Sequence, residues 1–430
     1  MKILKKKFCF KRFLFINLPS SLTVLLPFFL ITGPFLSDLA ISLCAILFIV
    51  NSLANWSEKF KIYYQNKYFI FFIFFWFTLV LSSLLSSDKI YSLQTSILYI
   101  RFGFFTLSTW FLLNNNSKII ITFFYVIFTC FFILIIDGGI QFFYGKNIFG
   151  WEIISTRISS FFRDELILGS YISRLFPLFF ATYIIFANKY KNKYSYNYTF
   201  YFFIIFILAD ILVFLSGERV AFFYLNLSAF FIFFLSKKYS KLRILTLISS
   251  FFIMFIITLF QSQYKERIID ITVNQVLKQN NGFYIFSKEH EDHFKSAILM
   301  FNENKIIGIG PKQFRKNCDK KEFLVSFESC TTHPHNTYIQ LLAEVGLLGF
   351  LQIFSFFLFL FYLSLKHYFL LLIKKKMIFN EFEIALISCF IITLWPLVPT
   401  GNFFGNWLNV IYYLPAGFLL YSLNKRNAKI

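Results

Sequence analysis

The chain has 430 residues, of which 58% are hydrophobic and only 15% charged, and it carries 42 Lys+Arg against 21 Asp+Glu. A soluble globular protein has about 45–50% apolar and about 25% charged residues, so this balance points to a membrane and excludes a water-soluble domain. The 23% aromatic content excludes disorder, six Cys are too sparse for a secreted disulfide scaffold, and the net charge of +21 raises nucleic-acid binding as a question of where the charges sit.

A bilayer core of about 30 Å needs roughly 20 apolar residues per helix. Twelve stretches meet this, near 13–35, 38–54, 68–86, 90–113, 119–143, 167–187, 199–216, 218–235, 242–260, 337–363, 382–400 and 405–423. The first follows a basic head (Lys2, Lys5, Lys6, Lys7, Lys11, Arg12) and lacks a small-residue cleavage site, so it reads as a retained anchor. With the N-terminus inside and the spans alternating, the inside segments hold 24 Lys+Arg, and the short outside loops hold 5: Lys89, Lys146, Arg157, Arg163 and Arg219. That asymmetry is the positive-inside signal. One outside loop is long, 261–336, between spans nine and ten; its 11 basic residues are exempt from the rule. No internal repeat or low-complexity linker is visible. The fold predicted is all-α: one integral membrane domain over 1–430, about twelve transmembrane helices, both termini cytoplasmic, and the 261–336 loop forming short helices on the other side. Sorted this way, the inside segments, with Glu383 at the inside end of the next stretch, carry the whole +21, which removes nucleic acid as a partner.

Within the loop, 263–278 reads as a helix and 290–304 as a second. In the second, Phe294, Ala297, Ile298 and Phe301 fall at i, i+3, i+4, i+7, a face expected to rest on the membrane domain. Gly308-Ile309-Gly310-Pro311 follows as a turn with Pro at a helix start. Four of the five His lie in the loop: His290, His293, His333 and His335. Their spacings, with Cys318 or Cys330, match no strong zinc pattern, and His290 and His293 read as ordinary interfacial residues. Cys318 and Cys330 lie on the oxidising face, where a disulfide is favoured over free thiols. Cys9, Cys44, Cys130 and Cys389 read as small apolar residues. His335 immediately precedes a membrane helix with Asn336 or Thr337 as N-cap. The unpaired N–H groups there favour an anion and disfavour an imidazolium, leaving a neutral imidazole that can accept a proton. A capping or interfacial role without chemistry is the alternative.

Arg101 and Arg174 fall inside spans, where charge is costly and a partner is expected; Asp137 and Asp210 are the candidates. Arg219 lies in the short turn Ser216-Gly217-Glu218-Arg219, and Arg157 and Arg163 in the outside loop 144–167. Several Arg forks near a helix start make a diphosphate clamp. Local pairs, Arg219 with Glu218 and Arg163 with Asp164, are the alternative.

His335-Asn336, nine residues, then Gly346-Leu-Leu-Gly349 resembles the His-Asn-x9-Gly-x-x-Gly signature of the O-antigen ligase and O-antigen polymerase superfamily. The wider run from His333 through Glu344 to Gly349 is similar to its usual pattern. Gly308-Ile-Gly310-Pro-Lys-Gln-Phe314 resembles the Gly-x-Gly-x-x-x-Phe element of many members, and Asp137-Gly-Gly-Ile-Gln141 the end of the span before their first outside loop. Arg219 matches the Arg of the turn between two later spans. Two places depart: His290 and Phe294 stand where many members have Arg-x3-Trp, and the Gly-rich stretch after Arg157 reads Ser159-Ser160-Phe161-Phe162-Arg163. A second loop Arg is therefore not transferred; Arg267 and Arg163 are candidates only.

The resemblance implies a metal-independent, cofactor-free membrane glycosyltransferase of the GT-C type in the bacterial inner membrane, its active site facing the periplasm. The donor would be a glycan on undecaprenyl diphosphate and the acceptor lipid A–core. His335 would be the general base, Arg219, Arg157 and Arg174 would hold the diphosphate, and Asn336 and Glu344 would support the site. A polymerase, with a second carrier-linked glycan as acceptor, is the rival. The 144–167 loop, about a third as long as 261–336, tilts the reading to the ligase. A polysaccharide or lipid transporter is a third class; it would show broken helices in matching halves.

Overall fold

The computed structural model describes residues 10–54, 56–190, 195–237, 240–261, 266 and 287–427. The predicted 263–278 helix and Arg267 lie outside them. Among the described residues the regular structure is helical, apart from two isolated bridges, Lys146–Glu152 and Ile154–Arg157. Each of the twelve predicted stretches carries a helix: α1 (Phe10–Thr32), α2 (Pro34–Ala54), α3 (Lys67–Leu84), α4 (Lys89–Asn115), α5 (Ile119–Tyr144), α6 (Leu168–Lys189), α7 (Ser195–Leu215), α8 (Arg219–Leu235), α9 (Ser240–Phe260), α11 (Thr337–Ile373), α12 (Glu381–Thr393) and α13 (Asn406–Asn427), with α10 (Lys288–Glu303) in the long loop. Eight are long and apolar enough to cross a membrane, which makes this an all-α polytopic membrane protein. Large apolar side chains such as Phe143, Ile90 and Phe260 stay exposed on the outside of the bundle, as helices surrounded by hydrocarbon require.

Helix α6 is the centre. It packs against α5, α7, α8, α12 and α13, and nearly all its residues are buried, Arg174 among them. Several polar residues inside the bundle are matched locally. Arg101 on α4 pairs with Asp38 on α2 at 2.6 Å, so the expected partners Asp137 and Asp210 are not used. Asp137 instead accepts from Ile148 N at 2.9 Å and from the Ser160 hydroxyl at 2.5 Å. One turn on, Gln141 Oε1 accepts from Ser159 N and Ser160 N, and its Nε2 donates to the Trp151 carbonyl. The Asp-x3-Gln motif is thus a clamp on the 144–167 loop. Arg174, by contrast, pairs with no carboxylate among the described residues: its guanidinium lies over the Tyr224 ring, 4.7 Å from the centroid.

Three elements differ from the pattern. The predicted stretch 382–400 is helical only to Thr393, because Pro396 and Pro399 lack N–H donors and bias the residues before them away from helix. Residues 394–405 run instead across the end of the bundle that carries the long loop. On α10, the buried stripe is His293, Ala297 and Met300, with Asp292 and Ser296, while Ile298 points outward. Ala297 and Met300 pack with Phe314, Cys318, Phe323 and Ala343, a small second core between loop and α11 that rotates the helix from its expected face. Finally, α11 is kinked at Gly346, with φ 66° and ψ −166°.

The kink explains two glycine motifs. Where α11 breaks, the carbonyls of Ala343 and Glu344 accept from Ile309 N and Gly310 N, and Leu347 N and Leu348 N donate to the carbonyls of Lys305 and Ile306. The loop backbone replaces the helix's own hydrogen bonds. A Cβ on Gly346 would run into Ile306 backbone, and one on Gly308 (φ 76°) into Val345 and Gly346 backbone. Both positions need a left-handed conformation and backbone contact, which only glycine provides.

Gly346→Ala is expected to cost at least about 1–3 kcal/mol, read as a lower thermal midpoint in detergent. Gly139→Ala, at a helical position with nothing within 4 Å of the new Cβ, serves as the neutral control.

Candidate active site

The site is built where α11 begins. Asn336 is its N-cap: Oδ1 accepts from Tyr338 N at 3.0 Å and Ile339 N at 3.2 Å. The same side chain donates through Nδ2 to the carbonyls of Pro396 (3.0 Å) and Val398 (3.2 Å). The broken strand-like segment after α12 is tied on further by Thr400 N donating to the His335 carbonyl at 2.7 Å, and by the Thr337 and Thr400 hydroxyls at 3.0 Å. Tyr338 OH donates to the Leu394 carbonyl, and Gln340 bridges Asn402, Phe403 N and Glu344.

Held this way, His335 has φ 53°, a left-handed conformation uncommon for a non-glycine residue. Its ring meets three other imidazoles: His333 at 4.2 Å, His293 at 5.2 Å and His290 at 5.4 Å between centroids. His290 and His293 are therefore part of the site, not of an ordinary interface. Ser287 fixes the start of α10, accepting from His290 N and contacting its Nδ1 at 2.7 Å. His333 is held between the Thr332 hydroxyl and the Thr400 carbonyl. Among the described residues no three His, Cys, Asp or Glu are arranged to hold a metal ion.

Burial pushes the His335 imidazole down to about 3, with the three neighbouring rings adding to the effect. His333 is pushed down to about 4, again chiefly by burial. His290 and His293 move the same way, though Asp292, Glu289 and Glu328 pull His293 back. At neutral pH the cluster is uncharged, and His335 can accept a proton.

The arginines fall into two groups. Arg219 opens α8 and lies near enough to His290 to oppose its protonation. Its neighbour Glu218 serves another end: its carboxylate accepts from Gly169 N, Ser170 N and the Ser170 hydroxyl at the start of α6. Arg157 donates from Nε to the Ser216 carbonyl and from Nη2 to the Leu166 carbonyl, both at 3.0 Å, joining the 144–167 loop to the same turn. Arg174 sits deeper on α6. Arg163 is exposed, 5.7 Å from the Trp151 ring and 3.9 Å from Asp164, away from the histidines. Glu344 is fully buried; it accepts from Phe314 N and Gln340, so it caps the short helix Phe314–Asn317 and shapes the wall. Cys318 and Cys330 are joined by a disulfide beneath the histidine loop. The segment 394–405 was missed by the sequence reading, although Pro396, Pro399 and Gly401 inside one apolar run are breaker signals.

A polytopic helical membrane protein with a neutral histidine, a helix start and several arginines at one end is equipped to hold an anion beside a base. The family model described as O-antigen ligase matches residues 202–354, from α7 through the long loop to just beyond Gly349. That match, over about a third of the chain, bears out the resemblance to the O-antigen ligase and polymerase superfamily and supports an enzyme of that general kind. No match was found among curated proteins.

Two outcomes test the site. Asn336→Asp keeps the cap acceptor but turns a carboxylate toward the Pro396 and Val398 carbonyls. It is expected to free 394–405, seen as faster proteolysis there, while Asn336→Gln only shifts the cap. In the second, the folded imidazoles stay neutral to about 4 and 3, whereas unfolded His titrates near about 6.5. The unfolded chain binds more protons between those values, so the stability contributed is full above about 6.5 and is lost as pH falls toward 4. The thermal midpoint in detergent should drop more steeply on acidification in wild type than in His333→Gln.

Proposed function

We propose that the protein is an O-antigen ligase-like glycosyltransferase of the bacterial inner membrane, with both termini cytoplasmic and the loop end facing the periplasm. It transfers a glycan from undecaprenyl diphosphate to lipid A–core, without metal or cofactor. The observation that carries this reading is His335, a neutral imidazole fixed at a helix start against His290, which the charge of Arg219 reaches.

In the reaction, His335 removes the proton of the acceptor hydroxyl. The freed oxygen bonds to the anomeric carbon from the face opposite the diphosphate, which inverts that centre. The bond from that carbon to the diphosphate oxygen breaks, and its electron pair leaves on the phosphate. Arg219 and Arg174 stabilise that growing charge, since donors placed where charge develops act most strongly in a water-poor site. Arg157, with two N–H groups on carbonyls, acts by holding the loop and turn as well as by its charge. The proton on His335 then passes to the released diphosphate, which returns the imidazole to its neutral form.

A carrier-linked glycan as acceptor, giving a polymerase, uses the same steps. The transporter reading has in its favour two broken helices, α11 and α12, but the first break is filled by the 305–310 backbone and the second seats 394–405 against His335.

The purified full-length protein, supplied with a carrier-linked glycan and candidate acceptors, should release carrier diphosphate. His335→Ala should slow transfer by about 10²–10⁴-fold with donor binding retained. A variant that transfers at the wild-type rate removes the general base. Glycan on lipid A–core identifies the ligase, a longer chain on the carrier the polymerase, and lipid movement between leaflets without any glycosylated product the transporter.

A further inference from the structure

Four helices, α6, α8, α11 and α13, begin at the end of the bundle that carries the long loop. Their starts are linked: Glu218 before α8 accepts from the first amides of α6, and Asn336 and Gln340 of α11 bind the segment that leads into α13. Just inside these starts lie three large polar side chains. Arg174 is six residues into α6, Tyr224 five into α8 and Tyr412 six into α13, depths of about 7–9 Å at a rise of 1.5 Å per residue.

The three are 3%, 1% and 8% exposed. Arg174 stacks on Tyr224 at 4.7 Å, its charge reaches both tyrosines, and Tyr412 faces Thr337 at the start of α11. Arg174 approaches the Tyr224 hydroxyl and Thr337 the Tyr412 hydroxyl, yet none of these contacts has hydrogen-bond geometry, which leaves Nε and Nη1 of Arg174 and both hydroxyls without a well-formed partner among the described residues. Buried polar groups in native proteins are almost always bonded. A guanidinium and two phenols supply hydrogen-bond donors, and four helix starts add partial positive charge. The set fits an oxyanion with several acceptor oxygens.

Beside it runs an apolar cavity of about 390 Å³, between α3, α4, α11, α12 and α13. Tyr412 lines it, as do Leu394 and Phe403, and it extends to Lys67 and Arg426 toward the other end of the bundle. An anion site joined to a long apolar cavity suits an amphiphile.

We propose that Arg174, Tyr224 and Tyr412 form a buried phosphoryl cradle that holds the phosphate nearest the lipid chain of a polyprenyl diphosphate, with the first isoprenyl units of the chain in the adjoining cavity. Tyr224 and Tyr412 are then binding residues of the transfer reaction, separate from the outer contact made by Arg219. This rests on the proposed transferase reading for its substrate, but its binding test needs no transfer.

The test uses full-length protein in nanodiscs and three probes: C55 polyprenyl diphosphate, C55 polyprenyl monophosphate and inorganic pyrophosphate. Tyr224→Phe and Tyr412→Phe keep the packing and remove one donor each. Each is expected to bind both lipid probes roughly tenfold more weakly, the loss of one hydrogen bond to a charged group, with an unchanged ligand-free thermal midpoint. Arg174→Gln should lose more. Pyrophosphate should bind at least about a hundredfold more weakly than the C55 diphosphate, because the chain's burial is missing. Wild-type affinity in both Tyr→Phe variants overturns the cradle. Equal affinity for pyrophosphate and the lipid overturns the cavity as the chain's site and assigns a free anion. His335→Ala should bind like wild type. If the binding pattern holds while wild type glycosylates no acceptor, the cradle stands and the transferase reading falls.

Discussion

The site depends on one side chain that faces two ways. Asn336 caps α11 through its oxygen and grips the carbonyls of Pro396 and Val398 through its nitrogen. Those carbonyls exist as acceptors only because Pro396 and Pro399 end α12 early. In a hydrocarbon setting unpaired backbone groups are costly, so a broken helix is tolerated only where protein satisfies it. Asn336 meets that requirement and, in doing so, fixes the chain on both sides of His335. A serine or threonine would cap the helix but could not also donate twice, which is the physical content of an Asn after this His.

The same logic recurs at the other end of the motif. Gly346 breaks α11, and the 305–310 backbone fills the broken ladder. Between these two points the first ten residues of α11 form a short rod bonded at its top to 394–405 and at its foot to the loop. Glu344 adds a third tie, capping the helix that starts at Phe314. The left-handed backbone at His335 is thus held by contacts on every side, as a strained conformation must be if it is to persist.

Much of this was legible in the sequence. Apolar run length placed twelve helices, and the His-Asn pair marked the α11 start, with Asn336 or Thr337 as its cap; the structure selects Asn336. The Gly346 kink was not legible, because the loop backbone that fills the break comes from 305–310. What was not legible is what long-range packing decides. Hydropathy counts Trp395, Val398 and Leu397 as helix and is blind to the missing donors of two prolines. Periodicity proposed Ile298 for the buried face of α10, but Phe314 and Phe323, brought in by the chain turning back, selected His293 and Met300 instead. Partners for buried charges were sought by type, so Asp137 and Asp210 were named, while Arg101 found Asp38 and Arg174 an aromatic ring.

The histidine cluster bears on timing in the proposed reaction. Burial and three neighbouring rings keep His335 neutral, but the same terms make it a weak base, held down to about 3. A weak base beside an exposed acceptor does little. A diphosphate bound at Arg219 and Arg174 brings negative charge to the cluster, and an opposite charge within a few Å favours the imidazolium. In this reading the donor itself raises the basicity of His335, and the arginines temper that rise because they neutralise part of the charge. Proton removal from the acceptor is then effective only with the donor in place. The cost of assembling four imidazoles, with carboxylates reaching only His293, is tied in the proposed reaction to the same feature that makes the base conditional on its substrate.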